Sequence, residues 1–155
     1  MNKIIPGTND PFKIVRQMYG NLPFNLFMGL KVSHIKENEA GYEFSMKKEL
    51  IGNLAYGFLH GGVISAVLDA TGGMTASASA VERMQGFSSN EIRNKITQIG
   101  TIDIRIDYLR PGQGTHFFST GTIMRAGKKV AVTRMELKNQ ENLLIAVGTG
   151  TYIVG

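Results

Sequence analysis

The stretch FLHGGVISAVLDATGGMTASASAV, residues Phe58–Val81, decides how the rest of the chain can fold. From residue 61 to residue 81 it holds one charged side chain, Asp69, among small and apolar ones. Because the run is too long and too continuous for a strand, it predicts a buried helix over about Gly61–Ala80. Gly72 and Gly73 each destabilise such a helix by about 1 kcal/mol relative to alanine, so we expect a structural requirement for them.

Before the long helix, the sequence predicts two short helical segments and a pair of strands. Asp10 followed by proline is a typical helix start, because aspartate caps free backbone amides and proline suits the first helical position. The predicted elements are a helix over Pro11–Tyr19, a short helical turn over Phe24–Met28, and two strands, Lys31–Lys36 and Gly41–Met46, paired through residues 37–39.

After the long helix, the chain changes to strand character. Ser88 and Glu91 have the capping-box spacing, which predicts a short amphipathic helix through about Thr97. The strict alternation that follows predicts a strand over Thr101–Tyr108, with Thr101 and the charged residues on one face and the isoleucines and Tyr108 on the other. Three more strands are predicted, His116–Met124, Lys129–Leu137 and Leu143–Ile153, separated by turns at 126–128 and 139–142.

This order of elements predicts the architecture of the chain. Helix, two strands, a long buried helix and four strands are typical of an α+β fold, in which an antiparallel sheet wraps around one central helix. We expect a single domain over residues 1–155, long enough to bury a core without disulfides or metals.

Composition and charge exclude several classes of function. The net charge is +5, but the basic residues are scattered and form no patch of the kind that binds nucleic acid. With no cysteines and three dispersed histidines, a metal site is not expected. The N-terminus lacks the apolar core of a secretory signal, and no run approaches the roughly 20 apolar residues of a membrane span, so we expect a cytoplasmic protein without stable membrane insertion.

The carboxylate in the long helix has two interpretations. A buried aspartate is often a structural hydrogen-bond acceptor. Alternatively, Asp69 is a general base, because its helical neighbours Ser65, Ala66, Gly72 and Gly73 are small enough to leave a channel for an elongated ligand. At the helix start, Gly61 and Gly62 leave the first-turn amides uncovered, so that they can hold an oxyanion. An oxyanion site and a carboxylate on one helix are the pair that acyl transfer to water needs.

Three segments of the chain resemble a known family. LHGGVISAVLDATGG, residues 59–73, resembles the signature of the PaaI-like hotdog-fold acyl-CoA thioesterases, and the whole chain is similar to the YigI subgroup of that family. GTIDIRIDYLRPG (residues 100–112) and RAGKKVAV (residues 125–132) match the later strands of the subgroup. The resemblance implies a hotdog fold, an acyl-CoA substrate, hydrolysis without a cofactor, and a homodimer or homotetramer with its sites at the dimer interface.

The resemblance also implies roles for individual residues. Asp69 matches the catalytic carboxylate, which activates water or attacks the thioester carbonyl, and Gly61 matches the glycine whose amide polarises that carbonyl. Thr101 matches a serine or threonine that positions the water. His60 matches the motif histidine, which mostly organises the loop. Gly62 belongs to the same substrate-binding helix start.

One position departs from the family pattern. Relatives often carry Asn or Gln six residues before the histidine, where this chain has Leu54, so Asn53 would have to serve as the second carbonyl contact. Arg125 and Lys128 flank a turn at which the phosphates of CoA could meet cations, although each is also a typical solvated charge. Small residues near Asp69 and eight methionines favour a flexible apolar pocket for medium or long acyl chains, with aryl substrates as the alternative.

Other interpretations remain open at the level of sequence. The segment Glu82–Gly100 either covers an acyl tunnel or forms a surface helix that packs on the sheet. A hotdog dehydratase or hydratase would need a His-Phe-Pro-Gly or Asp-x-x-x-x-His context, and the sequence has neither. A non-catalytic acyl-CoA-binding module is the main alternative to a thioesterase, and the carboxylate at position 69 argues against it.

Overall fold

The computed structural model describes residues 10–155. Its helices are α1 (Pro11–Gly20), α2 (Pro23–Met28), α3 (Gly61–Val81) and α4 (Ser89–Thr97). Its strands are β1 (Lys31–Lys36), β2 (Glu39–Ser45), β3 (Ile51–Asn53), β4 (Phe58–Leu59), β5 (Gly100–Tyr108), β6 (His116–Ala126), β7 (Val130–Asn139) and β8 (Leu144–Ile153), and a single 3-10 turn covers Lys48–Leu50.

Six strands form one antiparallel sheet in the order β1-β2-β6-β7-β8-β5. Helix α3 packs on this sheet against β2, β6 and β7, while α1 and α4 pack on α3. The predicted antiparallel sheet around a central helix is therefore confirmed. The short hairpin β3–β4, which leads directly into α3, was not predicted, because strands of two and three residues leave no periodic pattern.

Small residues allow α3 to lie close to the sheet. A side chain at Gly121 of β6 would overlap the Thr75 hydroxyl of α3. Beside this close approach, Phe44 and Phe117 stack with ring centroids 5.1 Å apart and are both buried. The absence of a side chain at position 121 therefore lets β6 lie close to α3.

The segment after α3 forms a capped surface helix. Ser88 Oγ accepts a hydrogen bond from the Glu91 amide, and Glu91 Oε2 accepts one from the Ser88 amide over 2.8 Å, so the predicted capping box is confirmed. Ile92 and Ile96 are buried, but the helix packs on α1 and α3, whereas one of the two interpretations of this segment placed it on the sheet. The sheet covers one face of α3, and α1 and α4 pack against each other and on another face of this helix.

Strand β5 corrects the predicted alternation of faces. A bulge between Thr101 and Asp103 interrupts its pairing with β8, which leaves Ile102 57% exposed instead of on the face of Ile104 and Ile106. A bulge adds a residue to one strand and reverses the facing of the residues before it, which strict alternation cannot foresee.

Among residues 10–155, no helix is long and apolar enough to cross a membrane. The prediction that the N-terminus lacks a secretory signal rests partly on residues 1–9, which lie outside the described residues.

Candidate active site

Asp69 lies in the middle of α3 and turns toward the end of the sheet formed by β5 and β8. Its Oδ1 atom accepts two hydrogen bonds, from Thr101 Oγ1 over 2.8 Å and from the Tyr152 hydroxyl over 3.2 Å. Within the part of the chain that the structure describes, no donor meets Oδ2. The carboxylate is therefore held through one oxygen, and the other is free to bind a water molecule or substrate.

The burial of Asp69 differs from the expectation. The sequence predicted a buried carboxylate, but in the single chain Asp69 is only half-buried. The position is open because the neighbouring strand, β5, is the edge of the sheet and no further strand covers it. A ligand, or a second protein chain, can therefore reach the carboxylate.

The bulge in β5 explains how Thr101 reaches this carboxylate. Strict alternation would place Thr101 on the face of Asp103 and Arg105, away from the helix. The bulge turns Thr101 to the helix side, where Ile104 and Ile106 pack on the core, and Thr101 can then donate to Asp69. Bulges next to active sites commonly re-aim a side chain in this way.

The start of α3 holds the motif histidine and two glycines. His60 is the N-cap residue, and its Nδ1 accepts a hydrogen bond from the Gly62 amide over 2.8 Å. The Gly62 amide is thus already used, which corrects the expectation that it would be open to substrate. The Gly61 amide has no acceptor among residues 10–155 and points outward from the positive end of the helix dipole.

An open cleft of about 560 Å³ borders this helix start. Asn53 lines the cleft, but its Oδ1 accepts hydrogen bonds from the amides of Ala55 and Tyr56 over 3.0 and 3.3 Å, which closes a turn. Leu54, at the position of the family's Asn or Gln, is 89% exposed and does not line the cleft.

Two further residues line the same cleft: Tyr108, which sequence reasoning missed as a site residue, and Arg110, one of the turn-flanking cations that the sequence offers for the phosphates of CoA. The Tyr108 hydroxyl donates to the Gly61 carbonyl over 3.1 Å, and Arg110 donates to the Leu144 carbonyl over 2.9 Å. In the sequence, Tyr108 is recognisable only as the last residue of a predicted strand. The fold shows that this strand, β5, ends beside Gly61.

The cations of the β6–β7 turn lie elsewhere. Across the sheet, Thr101 pairs with Tyr152, which pairs with Ala131, which pairs with Ala126. Three strand spacings, roughly 14 Å, therefore separate Thr101 from this turn. Arg125 and Lys128 are exposed, and Lys128 lines a separate cleft of about 440 Å³ at the C-terminal end of α3.

The carboxylate and the free amide of one chain are too far apart to act on one substrate. Eight residues of helix separate Gly61 from Asp69, which corresponds to roughly 12 Å along the axis. A reacting carbonyl must lie about 3 Å from both the oxyanion donor and the attacking group. The Gly61 amide and the Asp69 carboxylate of one chain therefore cannot both contact the same carbonyl, and their pairing stays a prediction that requires a second chain. Among residues 10–155, no group of three or more His, Asp or Glu side chains converges to hold a metal ion.

The antiparallel sheet wrapped on α3 is the hotdog fold. The half-buried Asp69 carboxylate lies beside β5, the edge strand of this sheet. The chain belongs to the Thioesterase superfamily, whose profile matches residues 56–146. It is 42% identical over 144 residues to the medium/long-chain acyl-CoA thioesterase YigI of Escherichia coli K12, covering 92% of this chain and 93% of the relative.

Solved structures agree with this assignment. A protein of Shewanella oneidensis related to the thioesterase superfamily is 43% identical, with a TM-score of 0.87 over 93% of this chain and 95% of the other. The Escherichia coli PaaI protein of the phenylacetic acid degradation operon is 18% identical, with a TM-score of 0.75 over 94% and 93%, and supports the fold alone. The predicted resemblance to the PaaI-like hotdog family is thus confirmed.

Proposed function

We propose that this protein hydrolyses acyl-CoA thioesters with medium or long acyl chains to the free acid and CoA. The observation that carries the proposal is the Asp69 carboxylate, which is held through Oδ1 and free at Oδ2. The name of the Escherichia coli relative supports the choice of substrate class.

In the proposed reaction, Asp69 supplies the attacking group. Its free Oδ2 either removes a proton from a water molecule that attacks the thioester carbonyl, or attacks that carbonyl itself. In the second case an acyl-aspartate anhydride replaces the thioester, and a water molecule then hydrolyses it to the free acid. The two hydrogen bonds to Oδ1 stop the carboxylate from rotating during the reaction. Negative charge develops on the carbonyl oxygen, and the Gly61 amide would stabilise it at the positive end of α3. The thiol of CoA is far more acidic than an alcohol, so its thiolate leaves without a strong acid.

Because Asp69 and Gly61 of one chain are too far apart to contact one substrate carbonyl, we infer that the active unit is a homodimer. Strand β5 is an open edge of the sheet, and unpaired edges favour pairing with another chain. If β5 pairs with β5 of a second copy around a two-fold axis, the two α3 helices run antiparallel. The start of one helix then approaches the middle of the other, so that Gly61 of one protomer serves Asp69 of its partner. A homotetramer of two such dimers is the other predicted assembly.

An apolar crevice supports an aliphatic acyl group. It holds about 260 Å³ between α2 and the start of α3, and it shares His60 and Gly62 with the helix start where the carbonyl would be polarised. Its apolar lining consists of Phe24, Phe27, Met28, Leu50, Ile51, Val63 and Ala66. This crevice, and not the segment Glu82–Gly100, is our candidate for the acyl pocket.

Contacts to the CoA nucleotide remain predictions. Arg125 and Lys128 are exposed cations roughly 14 Å from Thr101, a span that only an extended ligand such as CoA would bridge. The cytoplasmic location also stays a prediction from the sequence.

The substrate preference can be tested by filling the crevice. Ala66→Leu adds a branched group to its lining, so we expect kcat/KM for lauroyl-CoA to fall by about tenfold or more, the range for steric changes in apolar pockets. Release of free CoA from lauroyl-CoA and butyryl-CoA measures the effect, and butyryl-CoA, which does not fill the crevice, serves as the internal control. Equal losses on both substrates would place the acyl chain elsewhere. A wild-type protein that binds acyl-CoA without releasing CoA would support the non-catalytic binding module instead.

A further inference from the structure

Tyr152 of β8 is the second donor to the Asp69 carboxylate. We propose that Tyr152 is a positioning residue for hydrolysis, which fixes Asp69 with its free oxygen directed at the substrate. This inference rests on the proposed function, because it assigns a task to Tyr152 only if Asp69 carries out the chemistry. Local sequence patterns do not identify this contact, since Tyr152 follows Asp69 by 83 residues.

The geometry links the tyrosine to both parts of Asp69. Tyr152 is 1% exposed, and its hydroxyl lies 3.2 Å from Asp69 Oδ1 and 3.2 Å from the Asp69 backbone carbonyl. The single phenol proton therefore sits between the side chain and the main chain of the same residue. Such a contact fixes the carboxylate relative to its own helix, whereas Thr101 fixes it relative to β5.

The phenol remains a donor over the whole range in which the protein would work. Burial and then the negative charge of Asp69 raise the pKa of Tyr152 above its ordinary value of 10.0. Because the neutral phenol is favoured, the proton needed for the hydrogen bond to Asp69 is always present near neutral pH.

Two glycines make the space that this tyrosine occupies. A side chain at Gly72 of α3 would overlap the Tyr152 hydroxyl, and one at Gly150 of β8 would come within 2.7 Å of the same oxygen. Gly73 differs, since its added Cβ would lie 3.6 Å from the Tyr19 hydroxyl and 3.7 Å from the Tyr152 ring, which are ordinary contacts. Glycine at position 72 destabilises the helix relative to alanine, but it leaves the space in which the Tyr152 hydroxyl reaches Asp69.

The first test is Tyr152→Phe, which keeps the ring and removes the donor. We expect kcat for lauroyl-CoA to fall roughly tenfold to a hundredfold, the effect of one hydrogen bond to a charged group. KM and the thermal unfolding midpoint should stay close to the wild-type values. A merely structural tyrosine would give the opposite pattern, with a lower midpoint and an unchanged kcat, and that result would overturn the proposal.

The second test compares the adjacent glycines. Gly72→Ala should displace the phenol and lower kcat as strongly as Tyr152→Phe, whereas Gly73→Ala, which adds the same methyl group one residue away, should retain wild-type kcat. Equal kcat in the two alanine variants would contradict the inference.

Asp69→Asn, assayed beside these variants, separates the two proposals. If Asp69→Asn is inactive while Tyr152→Phe keeps wild-type kcat, the positioning role is wrong and the proposed function stands. If Asp69→Asn turns over like wild type, the proposed function fails and the positioning role fails with it.

Discussion

Replacing Asp69 with asparagine is expected to lower kcat for acyl-CoA hydrolysis by roughly 10²- to 10⁴-fold, the contribution of a general base. Asparagine has the same shape, and its carbonyl oxygen can still accept the hydrogen bonds from Thr101 and Tyr152. What it loses is the negative charge at the free oxygen, which is needed to remove a proton from water or to attack the thioester.

Two measurements check this expectation. Release of free CoA, followed with a thiol reagent, gives kcat, and thermal unfolding shows whether the variant remains folded. Asp69 is half-buried and its charge is lost without loss of volume, so we expect an unfolding midpoint near that of the wild type. A folded Asp69→Asn protein with wild-type turnover would show that the carboxylate is only a structural acceptor.

Replacing Gly61 with proline is expected to lower kcat by roughly 10²- to 10³-fold, the effect of removing one oxyanion donor. Proline has no amide proton, yet it suits the first helical position, which Gly61 occupies after the N-cap His60. His60 already has the extended backbone, with φ −63° and ψ 138°, that a residue before proline prefers. The substitution therefore removes the donor while α3 can still begin at the same residue.

Gly61→Ala is the matched comparison for this variant. Alanine keeps the amide proton, and its Cβ would lie 3.6 Å from the Tyr108 ring, an ordinary contact. We expect its loss of kcat to be much smaller than that of proline, with CoA release as the assay for both. Similar losses in the two variants would mean that the added bulk matters and the amide does not.

The helices and the sheet could be predicted because their signals are local. The continuous small and apolar run predicted α3 to within one residue at its end, and the Ser88–Glu91 capping box predicted α4. The alternation of the late strands likewise gave β5–β8 to within about two residues. Each of these signals depends only on neighbouring side chains along one element.

The details of the site depend on contacts between distant parts of the chain, which local patterns do not contain. The bulge that turns Thr101 toward Asp69 arises from pairing with β8, and strict alternation predicted the opposite facing. The Gly62 amide was expected to be open, but the His60 ring folds back onto it. Tyr152 could not be found from sequence, although the cost of a glycine at position 72 indicated that a neighbour needed the space.

In the proposed dimer, Asp69 of one protomer and the Gly61 amide of its partner form one active site. Mixing Asp69→Asn and Gly61→Pro subunits with different affinity tags, and purifying the hybrid through both tags, tests this arrangement directly. Each parent is inactive, but a hybrid dimer has one site with both lesions and one site with neither. We therefore expect the hybrid to recover about half of the wild-type activity, because a two-fold dimer has two equivalent sites. A hybrid as inactive as its parents would show that Asp69 and Gly61 do not combine across the dimer.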